Sequence, residues 1–225
     1  MRIAVVSTPR TCSSLVGSIF ANKYSLRNLS EIVSTCKDDD CINTLLDYLV
    51  TRDNFVVKIT STSFLRNVNT LKYTTFPWNI FDKIILTERV KLEDQYASWI
   101  LLNDAQVNGH FSDDNINKYI NELLKSDITT FPVNNHVINH ISKDIDFYYD
   151  VLKPYLLGGG LPTHILTHEL FQDEVENYLG VLNESLNEDI DTKHITMKTK
   201  SSIDYSKFVK ETNLIERIKN AKKFI

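Results

Sequence analysis

The chain has 225 residues, 42% of them apolar and 24% charged, and carries a formal net charge of −4. That composition supplies a packed core and excludes a disordered chain, and the mild acidity lacks the basic excess of a dedicated nucleic-acid binder. No run of about 18 apolar residues occurs, so no membrane span is expected.

Cys12, Cys36 and Cys41 are odd in number, and their spacing matches neither a zinc nor a disulfide framework. A reducing cytoplasm is the setting this implies. Met1 runs into an apolar strand pattern with no longer h-region, so no leader segment is expected. One α/β domain over residues 1–225 is the expected organisation.

Residues 2–7 are apolar without alternation, the pattern of a strand buried on both faces of a parallel sheet. A polar turn follows, and residues 13–23 have helical spacing. The stretch IAVVSTPRTCSSLVGSIF therefore reads as a strand, an anion-sized turn and a helix N-terminus. The first N–H groups of a helix have no internal partners, and the helix dipole adds about half a positive charge there, so a phosphate or sulfate fits. Arg10 adds a fixed cation with a planar donor fork, and Thr11, Ser13 and Ser14 add hydroxyls. With neither Gly nor Lys, the turn is not the loop of nucleoside triphosphatases. Equally, Ser13 or Ser14 can simply cap the helix.

Next, SLRNLSEI ends in Glu31, which the topology can return toward the carboxyl end of the first strand. CKDDDC reads as a polar turn opening a surface helix over about 41–51, with Ile42, Leu45, Leu46 and Leu49 at helical spacing. FVVKI, at 55–59, is a second buried strand, with Lys58 read as a solvated strand end or, as a compact phosphate binder, a residue reaching a bound phosphate; the hydroxyl-rich TSTS follows, then a weak helix or loop. KIILT, at 83–87, is a third strand, and a strong helix comes directly after it. Another helix covers 113–126, and Pro132 is expected to open one at its first turn that runs to Leu152. His136 and His140 share a face of that helix but lack the glutamate of a zinc motif, and are read as surface or acceptor-pocket residues. After a glycine turn at 158–160, HILTHEL gives a fourth strand leading into a helix at about 169–182, and a basic loop precedes one terminal helix. Strands alternating with helices imply a parallel sheet with its ligand site at the strands' carboxyl ends.

Three stretches, in order, resemble sulfotransferases that use 3′-phosphoadenosine 5′-phosphosulfate (PAPS), especially small bacterial and phage-type members. STPRTCSSLVGSIF is similar to the family's 5′-phosphosulfate loop, IILTERVKLEDQYASWI to its 3′-phosphate segment, and HILTHELFQDEVENYLGVL to its late conserved segment. The resemblance implies an α/β, P-loop-like three-layer fold, with a central parallel sheet of about four to five strands flanked by helices. It assigns Pro9, Arg10, Thr11, Cys12, Ser13 and Ser14 to the 5′-phosphosulfate and Arg89 with Ser98 to the 3′-phosphate, at a separation one residue longer than the family's usual spacing. Cys12 stands where the family carries Gly, a replacement that fits a backbone with negative φ. Glu31 stands where small members carry a catalytic acid. The late glycine-rich element of eukaryotic members is missing, and Lys200, with Lys198, Ser201 and Ser202, is the candidate to replace it.

These residue types suit the chemistry. Sulfuryl transfer, like phosphoryl transfer, passes through a loose anionic transition state, so catalysis rests on positioning and charge. Arg10 and the turn's N–H groups would stabilise charge on the donor's oxygens, and Glu31 would take the proton of an acceptor hydroxyl, with no metal required. The expected activity is transfer from PAPS to a hydroxyl-bearing acceptor. A nucleotide-dependent phosphotransferase and a non-catalytic nucleotide-binding module are the other classes the same turn admits.

Overall fold

In the computed structural model, residues 1–36, 38–66, 71–167 and 203–222 are described. Five parallel strands, β1 (Arg2–Ser7), β2 (Arg27–Asn28), β3 (Phe55–Thr60), β4 (Lys83–Glu88) and β5 (Thr163–Thr167), form one sheet in the order β2-β3-β1-β4-β5. The central strand β1 is in register with both neighbours, so Ser7 stands opposite Thr60 on β3 and Thr87 on β4.

The unalternating Val and Ile runs follow from burial on both faces. Ile3, Val5, Val56 and Ile85 face α1 (Ser13–Lys23), packing on its Val16, Ile19 and Phe20. Ala4, Val6, Val57, Ile59, Ile84 and Leu86 face the other way, onto Ile42, Leu45 and Leu49 of α3 (Asp39–Thr51) and onto Tyr148, Leu152 and Leu156. Helices thus cover both faces, giving a three-layer α/β fold of P-loop-like type.

Several local expectations are corrected. The two-residue β2 lies inside SLRNLSEI and is too short to leave a period in the sequence. Its bonds to the neighbouring chain define it, Arg27 N–H to Asn54 O at 3.0 Å and Leu29 N–H to Val56 O at 2.9 Å. The one-turn α2 (Ile32–Thr35) follows, and α4 (Ser61–Arg66) begins at TSTS. Helices α5 (Leu92–Val107) and α6 (Asp113–Lys125) stand where expected.

Pro132 does not open the next helix. That helix, α7 (Asn135–Phe147), starts after Asn134, whose side-chain oxygen accepts the His136 N–H at 2.8 Å, an Asx cap that fixes the start later. It runs on through a π-helical segment, Tyr148–Leu152, into α8 (Lys153–Gly158). The terminal helix is two, α9 (Ser206–Glu211) and α10 (Leu214–Lys222), separated at Asn213, which has a φ of 50°. The helix expected at 169–182 and the candidate residues Lys198, Lys200, Ser201 and Ser202 lie outside the described residues.

The described residues divide into two compact units. Residues 1–90 with 144–167 hold the sheet, and residues 91–143 with 203–222 form a helical unit. Within the helical unit, Tyr96, Trp99 and Ile100 are core residues, as their spacing predicts. There the Tyr96 hydroxyl pairs with Ser142 at 2.7 Å, and Lys207 Nζ donates to the carbonyls of Leu124 and Ser126 at 2.8 and 2.7 Å. Among the described residues no helix is long and apolar enough to cross a membrane.

Candidate anion site at the first strand-to-helix turn

The turn from β1 to α1 alternates its backbone sign. Arg10 and Cys12 have φ of 69° and 62°, Thr11 between them is not in the left-handed region, and the helix begins at Ser13. Alternation of this kind turns successive N–H groups toward one concavity, a nest for an anion. For a residue with a Cβ the left-handed region costs about 1–2 kcal/mol, so two such residues in three mark a backbone held against its own preference. The negative φ that Cys12 would favour is therefore not adopted. The position keeps a glycine-like conformation with a cysteine in it. Cys12, rather than Ser13 or Ser14, is the N-cap, and its side chain makes no capping bond; the simple capping reading of the two serines falls away.

The pleat decides what else reaches this place. Side chains alternate between faces along a strand, so Ser7, Lys58, Thr60 and Thr87 share the α1 face with Val5, Val56 and Ile85. Three hydroxyls, Thr60, Ser7 and Thr87, stand in register across β3, β1 and β4 at their carboxyl ends. The Thr11 hydroxyl donates to the Thr8 carbonyl at 3.0 Å, so its single proton is used, and the 2.8 Å contact with Thr87 makes Thr87 the donor there. Ser7 Oγ is fully buried and meets no hydrogen-bond partner among the described residues.

Lys58 is not a solvated strand end. Its ammonium donates to Ser14 Oγ at 3.1 Å and forms an ion pair with Glu31, its side chain only 12% exposed against 37% for Glu31. The pleat explains the first contact and the β2 pairing the second, because the ladder carries the chain back along β3 and places Glu31, N-cap of α2, beside the β3 end. Sequence reading singled out Ser14, Glu31 and Lys58 separately; the structure joins them.

The β3–α4 junction is organised differently. Ser61 and Thr62 donate their hydroxyls to the two carboxylate oxygens of Asp144, which is fully buried, and Thr60 Oγ1 pairs with Ser63 Oγ at 3.1 Å. Sequence reading gave Asp144 no role, because eighty-odd residues and one strand, β4, separate it from the hydroxyls it binds.

At the end of β4, Arg89 is 4% exposed, and the Tyr149 hydroxyl donates to its carbonyl at 3.2 Å. Glu88, on the opposite face, pairs with Lys153 at 2.6 Å. Burial, with the Glu88 carboxylate and Tyr149 adding to it, pushes the Tyr148 phenol well above its ordinary pKa. In the helical unit, Ser98 is buried on α5, where its Oγ accepts from the Tyr205 hydroxyl at 3.2 Å. His110 stacks on Tyr119 with ring centroids 4.6 Å apart, and burial together with a hydrogen bond to Asp104 pushes the Tyr119 phenol up to about 12. His136 and His140 are exposed, His140 meeting the Trp99 ring edge-on.

The cysteine expectation needs a correction as well. Cys36 and Cys41 form a disulfide, with Cα atoms 5.4 Å apart, while Cys12 is buried and in no disulfide. Spacing alone could not reveal the pair, because α2 ends at Cys36 and α3 begins at Asp39, and the reversal between those helices is what closes the distance.

No family model matches the chain, and no curated protein does. Among solved structures, deoxyadenosine kinase from M. mycoides with bound dCTP aligns with 83% of this chain and 99% of its own, at 13% identity and a TM-score of 0.40. The same enzyme with bound dATP aligns with 83% of this chain and 100% of its own, at 13% identity and a TM-score of 0.37. The fold assignment stands on the strand order and layers described above.

Proposed function

We propose that the chain is a transferase that holds a nucleotide-derived anionic donor at the β1–α1 turn, and that the reaction is sulfuryl transfer from PAPS to a hydroxyl. The observation that carries this reading is Lys58 at the start of α1. A helix N-terminus already bears positive partial charge, and the Lys58 ammonium, shared with Glu31, adds a further donor there for an anion carrying more than one charge. The nest at 10–14 and the buried Ser7 hydroxyl add donors at the same turn.

In the proposed reaction, the N–H groups of the turn and Arg10 hold the 5′-phosphosulfate. Lys58 turns part of its charge from Glu31 to the donor's bridging oxygen. The acceptor oxygen attacks sulfur in line as the sulfur–oxygen bond to the phosphate breaks, and Glu31 takes the acceptor's proton. Arg89 is the candidate for the 3′-phosphate. A preorganised donor at the transferring group is worth about 2.7–4 kcal/mol of barrier.

A second reading, phosphoryl transfer from a nucleoside triphosphate, draws on the same helix N-terminus, since the Lys58 ammonium serves a phosphate as well as a sulfate. Calorimetry separates the two. Tight binding of 3′-phosphoadenosine 5′-phosphate (PAP) with weak binding of ATP, with and without magnesium, supports sulfuryl transfer; the reverse order sinks it in favour of the second reading. Glu31→Gln is expected to lower turnover of labelled PAPS by about 10²–10⁴-fold with PAP affinity retained, and normal turnover in that variant would remove Glu31 from the role of base.

A further inference from the structure

We infer that Cys36 and Cys41 are a reversible dithiol–disulfide couple that latches α2 and so sets the position of Glu31. The coupling to turnover rests on the reading of Glu31 given above; the couple itself does not.

A one-turn helix has no stability of its own in water. The place of α2 is therefore set by tertiary ties: Val33 is buried in the core with Ile32 against it, the Ser30 carbonyl accepts the Lys58 N–H at 2.8 Å, and both ends of the helix are held. At its start, Glu31 is paired with Lys58, which in turn holds Ser14 of the anion turn. At its end, Cys36 is joined to Cys41 in the first turn of α3, and Asp38 holds that turn by accepting the Cys41 N–H at 2.8 Å. The Cα separation of 5.4 Å lies in the ordinary range for a disulfide, so the pair closes without backbone rearrangement. Cys36 is buried and Cys41 exposed, which makes Cys41 the sulfur an exchange partner can reach. Beside the pair opens a largely apolar cavity of about 300 Å³, lined by Ile32, Cys36, Cys41, Thr44, Leu45 and Tyr48, room for the partner's side chain or tail.

Exchange balances without any further reagent. In the open form, the Cys41 thiolate attacks a partner disulfide and releases one partner thiolate. Cys36 then displaces the second, closing the Cys36–Cys41 bond. Two electrons and two protons pass from the pair to the partner, which leaves as two thiols; a dithiol reductant reverses the sequence.

The test uses the full chain equilibrated in glutathione buffers of graded ratio, quenched in acid, denatured and alkylated. Mass spectrometry should count three thiols in the reduced protein and one in the oxidised, reversibly, with the doubly substituted Cys36→Ser, Cys41→Ser chain giving one throughout. Hydrogen exchange should speed up over residues 31–36 on the order of tenfold when the pair opens. A count that stays at three up to fully oxidised glutathione overturns the inference, and so does one that stays at one under excess dithiol. Equal exchange over residues 31–36 in the two states does the same. Turnover of PAPS should fall on opening on the order of tenfold, within the roughly 10²-fold that a misplaced group costs, with PAP affinity unchanged; redox-independent turnover overturns the latch on Glu31. If neither state turns over PAPS while the count and the exchange both move, the sulfuryl reading fails and the couple stands.

Discussion

Two helix N-termini sit at the carboxyl edge of the same sheet, and the protein treats them oppositely. At α4 the hydroxyls of Ser61 and Thr62 are saturated by the chain's own buried carboxylate, Asp144. At α1 the group brought to Ser14 is a cation, Lys58, and the turn before it carries two residues in the left-handed region. The first arrangement is complete in itself: two helix-end hydroxyls donate to one internal anion. The second has positive dipole and positive side chain on one side, with Glu31 drawn in from the next strand crossing to balance them. The contrast teaches that hydroxyl-rich strand-to-helix turns, equally suggestive as sequence, differ in whether the fold saturates their hydroxyls with a buried acid or brings a cation with its own half-exposed acid beside them.

Changing Asp144 strains this comparison most. Asp144→Ala strips two buried hydroxyls of their acceptor and should lower unfolding stability by about 2–4 kcal/mol, read from the urea midpoint. Asp144→Asn, which keeps one acceptor oxygen, should lose less, and PAP affinity should be unchanged in whatever fraction is folded. A loss of PAP affinity with stability intact would mean that α4, too, serves a ligand.

Lys58→Met comes next. Loss of one charge-assisted hydrogen bond, about 1.5–3 kcal/mol, should weaken PAP about 10- to 150-fold and flatten its salt dependence. Unaltered affinity would make Lys58 a partner of Glu31 alone and dissolve the contrast between the two helix ends.

The smallest effect belongs to Cys12. Cys12→Gly relieves the left-handed penalty but adds freedom to the unfolded chain, so a net gain of about 0.5–1 kcal/mol is expected. PAP affinity should be retained in this variant. A destabilised Cys12→Gly would show that the buried thiol's packing, rather than the backbone, holds the turn.

Much of the frame was legible beforehand. β1, β3 and β4 read as buried strands because a sheet covered on both faces leaves unalternating Val and Ile runs, and α1, α3 and α6 stand near their expected bounds because apolar spacing is a local property. The elements that were missed have no such signature. β2 is two residues of ladder, the start of α7 is set by Asn134 rather than Pro132, and Asn213 splits the terminal helix through one backbone angle. Within the candidate site, Arg10, Ser14 and Glu31 were marked from residue type and order, whereas Lys58 was read first as a solvated strand end and second as a residue reaching the donor's phosphates. A lysine near a strand end is indistinguishable by sequence from a solvated one until the pleat puts it on the α1 face.

By itself the sequence determined the class of fold, the strand-turn-helix with its hydroxyls and arginine, and the acid that follows it, since each depends on neighbours in the chain. Tertiary structure alone decided which groups meet: Lys58 with Ser14 and Glu31, Asp144 with Ser61 and Thr62, Cys36 with Cys41. Those contacts depend on strand register, on which face the pleat presents and on where helices reverse. These are fixed by the packing of the whole sheet and its layers, and no short stretch of sequence carries them.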